Sequence, residues 1–124
     1  MIVARNMLIP VAFVVSTSAS AHHPGSHAAR QPDGRVRLEV VATVPDTCTR
    51  IADIAAGSPS GVAAAPGTAP VTVRLVRSEG ACEAQVGALD TSWSLDAPGR
   101  IGTIMVYVLG TDGTLAATER VPIE

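Results

Sequence analysis

The sequence predicts an all-β protein, a small antiparallel two-layer sandwich of six to seven short strands. Three observations lead there. Apolar and polar residues alternate with a period of two over residues 35–44 and again over 71–78, the pattern of a half-buried strand. Clusters of Gly, Pro and Asp interrupt the chain at short intervals, at Pro45-Asp46, at 57–70, at Asp96–Gly99 and at Gly110–Gly113, leaving segments of strand length between them. No stretch carries an amphipathic helix of normal length. Strands joined by turns, without interleaved helices, bury their apolar faces by stacking two sheets.

Residues 1–21 have the layout of a cleaved export signal. A short head with Arg5 precedes the apolar run Met7–Val15, then Ser16-Thr17-Ser18 and the small-x-small pattern Ala19-Ser20-Ala21. The run is far below the roughly 20 apolar residues of a spanning helix. Pro10 interrupts it, at a cost of about 3 kcal/mol inside a helix. No Cys stands at the cleavage point, so no lipid anchor is expected. Cleavage after Ala21 starts the mature chain at His22, and cleavage after Ala19 starts it at Ser20. The expected product is periplasmic or extracellular, without a stable membrane anchor.

Residues 22–34, with Pro24, Gly25, Pro32 and Gly34, are expected to form a flexible leader, and 35–124 a single sandwich domain. In 35–44 the even positions Val36, Leu38, Val40, Ala42 and Val44 are apolar and should face inward. Thr47–Ala56 is open between a short capped helical turn, with Ile51, Ile54 and Ala55 at helical spacing, and a strand carrying Cys48. Residues 57–70 read as a mobile loop. In the second alternating strand Val71, Val73 and Leu75 oppose Arg74. From Cys82 to Leu95 the apolar parity switches near Gly87, the sign of a bulge or of two strands meeting. Ile101–Leu109 is almost continuously apolar, as in a central strand covered on both faces. Asp112-Gly113 marks a hairpin. Thr114–Ile123 returns with Leu115, Ala117, Val121 and Ile123 on one side. Pro122 lacks a donor, so this last strand belongs at an edge.

The architecture is immunoglobulin-like in the general sense only, since Trp93 follows Cys82 and does not stand between the two cysteines. Cys48 and Cys82 are the only cysteines, and in an exported chain two cysteines pair. A bridge closing about 35 residues contributes roughly 4 kcal/mol in the chain-entropy model. That staple matters because the mature chain has Trp93 and Tyr107 but no Phe. Its core must be built from Val, Ile, Leu and Ala, which bury less area per residue. Trp93 should be largely buried as the main core aromatic.

The mature chain has eight arginines, no lysine and eleven acidic residues, a formal net charge of −3. The lack of lysine and the abundance of alanine suggest a GC-rich bacterial genome. A weakly acidic chain without a basic patch excludes nucleic acid and anionic membrane as expected partners. The shortage of aromatic rings disfavours sugar and single-strand binding. A serine hydrolase needs a histidine held by the fold, and the three histidines all precede residue 28. Gly57-Ser58-Pro59-Ser60-Gly61 has Pro where a nucleophile elbow requires Ser. Nothing in the spacing of Asp53, Glu83, Asp90 and Asp96 selects a carboxylate pair. No phosphate-binding glycine loop is present.

His22, His23 and His27 are the one pointed metal hypothesis. An amino-terminal His22 offers its amine and imidazole to Cu(II), with His23 or His27 adding a nitrogen. This arrangement resembles the amino-terminal histidine site of exported copper-binding β-sandwiches of the CopC-like kind. That resemblance implies a periplasmic copper-binding protein, although further ligands of such sites come from the folded body, and this body has no histidine beyond the leader. Cleavage after Ala19 would put His22 third, a set suited to square-planar Cu(II) or Ni(II). The first expectation is a non-enzymatic exported binding or interaction module for a protein or small ligand. Its contacts are expected on the 57–70 loop or the edge strand near Pro122. The copper protein is the alternative.

Overall fold

A computed structural model of the chain describes residues 25–124. The described residues contain seven strands in two packed sheets: β1 His27–Arg30, β2 Val36–Val44, β3 Thr49–Ala56, β4 Thr68–Arg77, β5 Gly87–Leu95, β6 Thr103–Leu109 and β7 Leu115–Pro122. One sheet has the order β1-β2-β5, the other β3-β4-β6-β7. All named pairs are antiparallel except β4 with β6, which run parallel. That parallel pair exists because the connection between them crosses to the other sheet as β5 before returning.

The period-two pattern sets the core. Val36, Leu38 and Val40 are fully buried, with Ala42 and Val44 close behind. Val71, Val73 and Leu75 of β4 and Ile104, Val106 and Val108 of β6 face them in one apolar cluster. Strand β6 is buried on both faces, since Met105 and Tyr107 are also buried, as its continuous apolar run requires. The β6–β7 hairpin turns at Gly110–Gly113, where Gly113 adopts φ 83°, a conformation that favours glycine. Asp112 accepts hydrogen bonds from the amide and hydroxyl of Thr114.

Three expectations are corrected and one open choice is decided. Residues 27–30, placed within the flexible leader, form β1, because they pair with the nearby Val36–Glu39 and hydrogen-bond to Glu124 at the far end of the chain. Within Thr47–Ala56, the choice between helical turn and strand falls to a strand at Thr49–Ala56, with Thr47 and Cys48 in the turn before it. A bulge between Ile51 and Asp53 sets Ile51 and Ile54 three apart while both pack on the core, so a bulged strand imitates helical spacing. Trp93 points inward opposite Leu38 but is only half-buried, because β5 is an edge strand. The buried aromatic is Tyr107. A second irregularity, at Val108/Leu109, sets Leu115 opposite Leu109 and leaves it 46 % exposed.

Strand β1 is short but bonds to both sheets. Its residues pair antiparallel with Val36–Glu39. On the other side the Glu124 amide donates to Ala28 O (2.9 Å) and the Arg30 amide to Glu124 O (3.0 Å). The Arg30 guanidinium then donates to four carbonyls, those of Gly34, Ala97, Pro98 and Ile101, at 2.8–3.4 Å. A charged donor sharing four backbone acceptors fixes the 97–101 turn to β1.

At the opposite end, Cys48 and Cys82 form a disulfide with a Cα–Cα distance of 5.4 Å. Thr47 and Glu83 exchange backbone and hydroxyl hydrogen bonds beside it. Asp46 accepts from the Cys48 amide and from the hydroxyl of buried Thr49, and lies 3.4 Å from the Arg77 guanidinium. The Thr49 hydroxyl, with the Cys48 amide and Arg77, holds the Asp46 carboxyl below its ordinary range against the opposing effect of burial.

Cys48→Ser should lower stability by about 2–5 kcal/mol, read as a lower midpoint in denaturant. An unchanged midpoint, with or without reductant, would remove the staple from the account. Because the folded-state pKa of Asp46 is depressed, its contribution is complete above the unfolded value near 4 and lost as pH falls through the folded value. The thermal midpoint should therefore drop between about pH 5 and pH 2.5, and Asp46→Asn should flatten part of that drop.

Candidate functional site

Successive backbone groups of a strand point to opposite edges. In β1 the Ala28 carbonyl and Arg30 amide point to the Ile123–Glu124 segment, so the groups of His27 and Ala29 serve β2. The strand thus occupies a slot between the edges of β2 and β7. It fills that slot only alongside Val36–Glu39. At Ser26 the pairing ends: the Val41 amide donates to Ser26 Oγ (2.9 Å), and the Ser26 amide donates to Glu119 Oε2 (3.0 Å). The chain passes so close to Glu119 here that a Cβ on Gly25 would lie 2.6 Å from its carboxylate oxygen, which is why glycine suits the position.

Beyond Ser26 the slot continues as an open groove of about 490 Å³. Val41, Ala42 and Thr43 form one wall and Ala116, Ala117, Thr118 and Glu119 the other, with Leu75 and Val108 between. Burial along β7 follows β1: Val121 is fully buried, Glu119 half-buried and Ala117 exposed. Val121, Glu119 and Ala117 all oppose core-facing residues of β6, namely Ile104, Val106 and Val108. They share the inward face and differ in whether a strand covers them. Among the described residues lining the groove, Glu119 is the one that carries a charge.

The residues singled out for chemistry do not converge. His27 is exposed on β1, beside a shallow pocket of about 270 Å³ with Arg37, Glu39 and Glu124. Glu39 is already held by Arg37 (2.7 Å) and Ser92 (2.9 Å), and the hydrogen bond from Arg37, then that from Ser92, lowers its pKa. Among the described residues no group of three or more His, Cys, Asp or Glu side chains is placed to hold a metal ion. His22 and His23 lie outside the described residues, as does the export signal. Asp53 pairs with Arg74 on the four-stranded sheet and Asp96 with Arg35 (2.7 Å) beside the three-stranded one. Asp90 is exposed on β5 and Glu83 in the loop before it. The 57–70 loop contributes no wall to the groove, and its last three residues belong to β4. Among the described residues no helix is long and apolar enough to cross a membrane.

The groove itself was not among the sequence expectations beyond the naming of the edge near Pro122. The available signal was an acid at an inward position of the last strand, Glu119 between Ala117 and Val121. The chain matches no family model, no curated protein and no solved structure.

Proposed function

We propose that the chain is an exported, non-enzymatic binding module that takes an extended polypeptide segment into the slot between β2 and β7. Export is supported by the signal layout of residues 1–21 and by the disulfide, which suits an oxidising compartment. The observation that carries the binding reading is a slot half filled among the described residues: β1 covers Val36–Glu39, while both edges and the apolar floor continue beyond it. Strand addition supplies main-chain hydrogen bonds to such edges, with alternate side chains entering the cleft. The scattered acids and the position of His27 support a binding role over a catalytic one.

Mature protein should show no hydrolysis of ester, peptide or glycoside panels above background. It should retain a partner from the exported fraction of its host, and Ala117→Arg, which places a long cation in the groove, should release that partner while leaving the thermal midpoint within a few degrees. Hydrolysis abolished by substituting one acid, or capture indifferent to Ala117→Arg, would overturn the reading.

A further inference from the structure

We infer that the segment entering the slot carries a cationic side chain set against Glu119, flanked at alternate positions by small apolar residues. This rests on the strand-addition reading above and adds the chemistry of the occupant. The filled half of the slot shows the size that fits: the inward residue of β1 is Ala28, 2 % exposed and opposite Leu38. The open half continues the same gap between the same two strands and is walled by Ala42 and Ala117, so its inward positions take Ala, Ser or Val in the same way. The charge comes from Glu119. It is half-buried on the inward face of β7, opposite the buried Val106. Among the described residues its Oε2 accepts one hydrogen bond, from the Ser26 amide, whereas a carboxylate has room for about four. Among the described residues no Arg or His lies within ion-pair distance of it. A carboxylate drawn partly out of water with no counter-charge gains from a cation delivered with the incoming strand. A second copy of this chain would instead bring its own β7 acid to the same edge, and like charges on paired edges repel.

A random decapeptide display library panned on mature, disulfide-intact protein tests this, with the enriched peptides synthesised and titrated by calorimetry. Enriched sequences should alternate small apolar residues and carry one Lys or Arg. Changing that residue to Glu in the peptide should weaken binding to the wild-type protein at least about tenfold, the scale of one hydrogen bond to a charged group. Glu119→Gln should remove most of the difference between the two peptides. Enriched peptides that lack a cation, or that tolerate its replacement, would overturn the cationic occupant while leaving the slot standing. Peptides that bind Ala117→Arg as well as wild type, or a library without binders, would overturn both. Binding that appears only after the residues ahead of Gly25 are deleted would assign the slot to the chain's own amino-terminal segment and also overturn the proposal.

Discussion

The two-sided pairing of β1 is the constraint on which the rest of the molecule depends. Four residues, His27–Arg30, hydrogen-bond to the three-stranded sheet on one edge and to the end of the four-stranded sheet on the other. Without them both sheets would present long unpaired edges next to each other, a hazard for association with other chains. With them, one end of the cleft is sealed over Ala28, and Arg30 gathers the 97–101 turn onto the same strand. The seal stops at Ser26. Everything assigned to function follows from where it stops, because past that point no further described strand lies along the same two edges.

The body that carries this slot is made with little aromatic area. Its fully buried large side chains are Leu38, Ile104 and a set of valines, each of which contributes on the order of 1.5–3 kcal/mol when withdrawn from water. β-branched residues suit a pleated surface, and two interlocking faces of them give a stiff, dry interior. The disulfide and the Asp46 network hold the end remote from β1. The slot therefore lies on a scaffold fixed at both ends, and a partner strand would meet preformed walls with little ordering cost.

How much of this could be read in the residues depends on how local the cause is. Strand β2 was legible because its five inward residues keep one parity without interruption, and the β6–β7 hairpin because Asp112-Gly113 is a local signal. The Cys48–Cys82 bridge followed from compartment and count. Strand β3 could not be told from a helical turn, since the bulge after Ile51 converts a spacing of two into three. Strand β1 was hidden for a different reason: its neighbours Pro24, Gly25, Pro32 and Gly34 are turn formers, and its second partner, Glu124, is distant in sequence. The exposure of Trp93 and Leu115 was not foreseen, because burial at an edge strand or beside a bulge is set by neighbours that the local pattern does not name. The groove is the extreme case, defined by where one strand ends relative to two others.

The central claim is that, among the described residues, the edge of β2 is covered by β1 up to Glu39 and open beyond Val41. Amide exchange along this single strand measures it directly. The amides of Glu39, Val41 and Thr43 point to the same edge. Glu39 faces β1 and Val41 is held by Ser26 Oγ, while Thr43 faces the groove. Native-state exchange should find Glu39 strongly protected and Thr43 exchanging close to the rate of an open amide, with Ala42 and Val44, turned toward β5, protected throughout. Equal protection at Glu39 and Thr43 would contradict the account, since the slot would then be closed along its whole length.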